Sequence, residues 1–222
     1  MDKNEELYNR LNSELGQIKT EVQNLLVDQH IFYEVQSIIK NNSNIQKPNT
    51  FNRWMAKSYA TSMSVAVRRL VDGDRESVSL VRLLQDLKKG PECVSREAYK
   101  RRLFNFDTPL EYLDSDYSKI LGPEAQYPDP LKIDDEIRKL KVGTESLKKY
   151  VDKNVAHTAK LRQKQIPKFQ ELDDAIELLE AATRRWLHLF RGAVYPSGLL
   201  PTWQYDWKQI FHYSWIPNKP KE

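Results

Sequence analysis

The chain has 222 residues, of which 40% are hydrophobic and 30% charged, and its mean hydropathy is -0.70. That balance suits a soluble folded chain with one sizeable core; it excludes a disordered chain, and no stretch approaches the ~20 apolar residues of a membrane span. The single cysteine, Cys93, excludes an internal disulfide framework and a multi-cysteine zinc site, and the net charge of +4 permits a polyanionic partner without requiring one.

The opening MDKNEELYNRL is polar and acidic, unlike a secretory signal, so the cytoplasm is the expected compartment. Leu7, Leu11, Leu15, Ile18, Val22 and Leu25 then recur at helical spacing. They predict a long amphipathic helix that either runs on past Asp28 or breaks there, within an N-terminal helical region over 1–47. A core face is the plain reading of this stripe, and a dimerising coiled coil the sharper one.

A second helix is expected over 52–71, on the stripe Met55, Tyr59, Met63, Ala66 and Leu70, with Asp72-Gly73-Asp74 as the turn after it. Short helices follow over 77–87 and from a Ser95 cap to about Phe104. Residues 105–130, punctuated by Pro109, Pro123, Pro128 and Pro130, read as a long irregular loop with one helical turn near Leu110 to Leu113.

One long helix is expected from about Leu131 to Ala156 or beyond, with Ile133, Ile137, Leu140, Thr144, Leu147, Val151 and Val155 as its buried stripe and Gly143 as a weak point. Another is expected over 169–190, with Pro167 just before it. The tail over 203–222 is aromatic; Trp203, Tyr205, Trp207, Phe211, Tyr213 and Trp215 predict a segment that docks across the bundle and closes the core. No strand pattern and no internal repeat is present, so the fold class is an all-α helical bundle in a single domain over 1–222.

The chemical candidate is Asp152-Lys153-Asn154-Val155-Ala156-His157. Lys153 and Asn154 lie four and three residues before His157, so an α-helix reaching His157 puts a cation, an amide and an imidazole on one surface. Such a set can move a proton and stabilise charge on a phosphodiester. A histidine that satisfies the helix C-terminus is the plainer alternative. Residues 148–168 hold seven cations, among them Lys149, Lys160 and Arg162, against the single acid Asp152, a local net of +6 that suits RNA or, more plainly, a solvated helix end. His30, His188 and His212 lack partners at metal-ligand spacing, and no phosphate-cradling glycine loop is present, so neither metal nor cofactor is expected.

Three segments carry a family resemblance: Ala66-Val67-Arg68-Arg69-Leu70-Val71-Asp72 with Ser77-Val78-Ser79-Leu80-Val81-Arg82-Leu83-Leu84; Asp152-Lys153-Asn154-Val155-Ala156-His157; and Asp206-Trp207-Lys208-Gln209-Ile210-Phe211 running to Trp215. In that order the chain resembles the HEPN superfamily, and more narrowly the AbiU-type abortive-infection proteins. The resemblance implies a helical bundle that dimerises, bringing the motifs of two protomers into one cleft. It implies metal-independent cleavage of RNA by the substrate's own 2′-hydroxyl, in a defence or toxin–antitoxin setting where an antitoxin or other protein is a further partner.

The family motif places an arginine before the polar residue and the histidine, and here that position is Val151, with Asp152 as the polar residue. Lys153 is one substitute cation, and Arg68 or Arg69, which otherwise read as a solvated pair, are others reaching in from the second helix. The competing expectation is a catalytically degenerate helical protein that acts through protein–protein contacts.

Overall fold

The computed structural model describes residues 2–47, 49–105, 108–155 and 167–213. Within them the chain is helical, with one isolated bridge between Asn105 and Thr108 and no strand. No described helix is long and apolar enough to cross a membrane.

Helix α1, Lys3–Lys40, starts at Asp2, whose carboxylate accepts from the Asn4 N–H, and it passes Asp28 without a break. Its predicted stripe is the buried one: Leu11, Leu15, Ile18, Val22 and Leu25 all lie in the core. Helix α8, Phe169–Arg191, runs antiparallel to it. At one end the Tyr8 hydroxyl donates to the Phe190 carbonyl at 2.8 Å and Arg191 Nε donates to Asn12 at 2.7 Å. At the other, Gln29 and Tyr33 both donate to Asp173.

Helix α2, Thr50–Leu70, is capped by Asn49 and lies on both, where Tyr59 stacks on Phe32 with ring centroids 3.8 Å apart. Helix α3, Leu80–Leu87, is capped by the Ser79 hydroxyl and fills the centre with Leu80, Val81, Leu83, Leu84 and Leu87. Asp86 is buried at its end. Burial pushes its carboxyl up, but hydrogen bonds from Lys89 and Arg10 outweigh that and hold it below the usual range.

Helix α4, Arg96–Leu103, follows a 3₁₀ turn over Pro91–Val94. Beyond it the expected irregular loop over 105–130 is corrected: helix α5, Leu110–Leu121, occupies its centre. Pro109 and Gly122 bound it, and Leu113 and Tyr117 are its buried residues. The stretch just after α5, together with two α5 side chains, wraps one side chain. Arg96, 7% exposed, donates to the carbonyls of Ala125, Gly122 and Pro123 and to Asp114 and Ser118. The segment is fixed by a buried guanidinium rather than left irregular.

The single long helix expected over 131–156 is also corrected. Helix α6, Pro130–Gly143, ends at the buried Thr144, and helix α7, Glu145–Tyr150, begins after it. A π turn, Val151–Val155, follows. Gly143 lies at the close approach of α6 to α8: a Cβ there would meet the Leu178 side chain at 2.6 Å.

Past α8 the chain turns at Gly192, which takes the left-handed φ of 62°. Leu199 is buried, with its N–H donating to Glu180 and its carbonyl accepting from Gln23. The tail then lies on the outside of α1. Trp203 and Trp207 approach His30, and Lys208 pairs with Glu34. None of the 3₁₀ turn Trp207–His212 is buried and Tyr205 is 82% exposed, so the described tail rests on a surface instead of closing the core. Trp215 lies outside the described residues.

Replacing Arg96 is the test of how 105–130 is held. Arg96→Ala leaves several partly buried acceptors without their donor and is expected to cost about 2 kcal/mol in urea unfolding, and Arg96→Lys recovers little because one ammonium cannot span that set of carbonyls. A cost under about 1 kcal/mol would place the ordering of the segment elsewhere.

Candidate functional site

The end of α2 and the start of the π turn meet at one corner of the bundle. On α2, Tyr59, Met63, Val67 and Leu70 face the core. Arg68, next to Val67, therefore lies at the flank and Arg69 on the outside. On the other side, Leu147 and Val151 are buried one helical turn apart, which puts Lys148 and Asp152 at the flank that faces Arg68.

The carboxylate of Asp152 holds the two elements together. Its Oδ1 accepts from Arg68 Nε at 2.7 Å and its Oδ2 from Lys148 Nζ at 2.7 Å. Arg68 Nη1 also lies 3.4 Å from Asp72 at the end of α2. The hydrogen bond from Lys148, with that from Arg68 and against some burial, holds the Asp152 carboxyl below its ordinary value, while the bond to Asp152 raises Arg68. Beside this cluster a cavity of about 470 Å³ is lined by residues that include Arg68, Asp72, Lys141, Thr144, Glu145 and Lys148. Its walls carry three cations, Arg68, Lys141 and Lys148, and two carboxylates, Asp72 and Glu145, so it is a mixed-charge surface on which the cations outnumber the carboxylates by one.

The other sequence candidates divide. Lys149 pairs with Glu145 at 2.6 Å, away from the cluster. Arg69 and Lys153 are exposed, with no partner among the described residues. Asn154 holds its amide nitrogen buried without a hydrogen-bond partner among those residues. His157, Lys160 and Arg162 lie outside the described residues. Val151 is 3% exposed, so the position of the family's arginine belongs to the core.

The π turn alters one argument: its backbone register is i to i+5, so the α-helical i, i+4 relation between Lys153 and His157 is not carried by the local register at Lys153. Lys148 and Asp72 are the members of the cluster that the sequence reading left out of the site. Their signal was the i, i+4 spacing of Lys148 with Asp152 and of Arg68 with Asp72.

Elsewhere, Asp116 accepts from the Tyr99 hydroxyl at 2.6 Å and lies 2.8 Å from His188 Nε2, tying α4, α5 and α8 together. A cavity of about 590 Å³ lies between α6 and α8, where Trp186 Nε1 donates to Glu136. No group of three or more His, Cys, Asp or Glu among the described residues is placed to hold a metal.

Compared with known families and proteins, the chain matches no family model, no curated protein and no solved structure.

The Asp152 pairs make acid sensitivity the local readout. Because the folded-state carboxyl titrates below its ordinary value of 3.8, the pairs stabilise the fold above that pH, and the contribution is lost as pH falls through the folded value. Asp152→Asn is therefore expected to cost about 1 kcal/mol in urea unfolding at pH 7 and less near pH 2, a modest figure because Arg68 and Asp152 are about a third exposed and Lys148 more than half. An equal cost at both pH values would mean that packing, not charge, ties α7 to α2.

Proposed function

We propose that this chain is a HEPN-like, AbiU-type defence or toxin–antitoxin protein that works in the cytoplasm as a homodimer, binds RNA at the corner between α2 and α7, and cleaves it without metal. The observation that carries this reading is the contact of Arg68 with Asp152. It supports Arg68 as the substitute for the arginine that the resemblance expects at Val151, delivered from a different helix to the polar residue of the motif.

In this mechanism the RNA phosphate sits against Arg68 and Lys148. Their charge stabilises the extra negative charge as the 2′-oxygen attacks phosphorus. His157 takes the proton of the 2′-hydroxyl, the bond from phosphorus to the 5′-oxygen breaks, and that oxygen takes up a proton. The products are a 2′,3′-cyclic phosphate and a 5′-hydroxyl. Asp152 orients the guanidinium, and the partner protomer supplies the second wall of the cleft.

The test is incubation with single-stranded RNA and transfer RNA in EDTA. The parent is expected to cleave, His157→Ala to be inactive, and Arg68→Ala to be slower by ~10²-fold while remaining folded. Cleavage unaffected by Arg68→Ala would remove Arg68 from the site.

A second reading is favoured by the same contacts. Arg68 is already engaged by two carboxylates, Asp72 and Asp152, as a structural ion pair is. On that reading the corner is a strut, the protein is catalytically degenerate, and it acts through protein contacts. Absence of cleavage and of RNA binding by a folded parent selects it.

A further inference from the structure

Helix α2 carries a feature that the motifs do not touch. Its 21 residues contain Arg53, Lys57, Arg68 and Arg69 and no acid. At its start Phe51 is 56% exposed and Trp54 61%, with ring centroids 5.7 Å apart. Two large aromatic rings held side by side in solvent are uncommon on a helix whose other face already supplies the core. Arg53 and Lys57, exposed and one turn apart, lie on the flank of the helix next to Trp54. No carboxylate among the described residues pairs with Arg53, Lys57 or Arg69, in contrast to Lys148, Lys149 and Lys208, each of which has one.

Helical spacing places Phe51, Trp54, Ser58, Ser62 and Arg69 on one outward strip. The strip ends beside Arg68 and the corner described above. From Trp54 to Arg68 the helix rises about 21 Å, the length of roughly six stacked nucleotides at ~3.4 Å each. The aromatics of the tail offer less: Trp203 and Trp207 are already engaged with His30 and with each other.

We infer that Phe51 and Trp54 form a base-stacking platform for single-stranded RNA, whose backbone then follows the acid-free face of α2 past Arg53 and Lys57 to Arg68. The chemistry is that of single-strand recognition: flat aromatic faces take unstacked bases of any sequence, and unpaired cations track the phosphates. A duplex, whose bases are stacked on each other, gains nothing from the platform. The inference rests on the RNA reading above and adds the class of strand and the place where it is gripped.

The test measures binding of a fluorescein-labelled oligouridylate of ~12 nucleotides, and of a duplex of the same length, by anisotropy at low salt. The His157→Ala protein serves as background so that the strand stays intact. Trp54→Ala and Phe51→Ala are each expected to weaken single-strand binding by ~10- to 100-fold, Trp54→Phe to retain most of it, and duplex binding to stay unchanged. Both alanine variants sit at exposed helical positions, so the fold is kept.

Unchanged single-strand affinity in Trp54→Ala, with loss in Arg68→Ala, would overturn the platform and leave the RNA reading standing. No binding of either RNA by the background protein would overturn both. A dimer that dissociates on Trp54→Ala in sedimentation would assign the patch to a second copy of the chain and overturn the platform.

Discussion

The antiparallel contact of α1 with α8 is the constraint on which the other elements depend. The buried stripe of α1 runs from Leu11 to Phe32 and needs a long partner, and α8 presents Leu172, Ile176, Leu179, Thr183, Trp186 and Phe190 along one face. Polar contacts at both ends, Tyr8 and Asn12 at one and Gln29 and Tyr33 at the other, fix the register. With register fixed, α2 packs against both helices on one side, and α3 packs against α1 and α6. The corner where Arg68 meets Asp152 is thus set by packing far from it.

That corner is small, charged and only partly buried, a different kind of object from the core beside it. Val151 and Leu147 anchor the backbone apolarly, and Lys148 and Asp152, one residue further on, convert the same helix edge into an ion-pair surface. A one-residue offset between anchoring and charge lets the site share an element with the core without lowering the quality of either. The break at Thr144 contributes by letting α7 take its own direction after α6, toward α2.

Periodicity made the long helices legible, and the same property hid the breaks. Ile137, Leu140, Thr144, Leu147 and Val151 keep helical spacing across the end of α6 and into the π turn, so the pattern alone reads as one helix. Helix α5 escaped for the opposite reason. Its buried residues are few, Asp and Ser fill the positions between them, and its boundaries, Pro109 and Gly122, are also loop signals. Arg96, which orders that region, is 18 to 29 residues from its partners, beyond any local pattern. In the site, spacing could supply Lys148 with Asp152 and Arg68 with Asp72. The tie that matters, Arg68 to Asp152 across 84 residues, comes only from the fold. The tail misleads because aromatic density reads as core material, whereas Trp203 and Trp207 lie on the outer surface of α1 beside His30.

The lone cysteine has a consequence of its own. Cys93 is fully buried, and burial pushes its thiol up to about 12, so the native molecule shows no reactive sulfur to solvent. Its carbonyl is held by Arg102, whose guanidinium also binds Glu5 near the start of α1. Helices α1 and α4 both pack on the 3₁₀ turn that holds Cys93, so a thiol reagent reaches the sulfur only after this end of the bundle opens. The rate of labelling is therefore a built-in clock for the opening of this end of the bundle, one that needs no substitution.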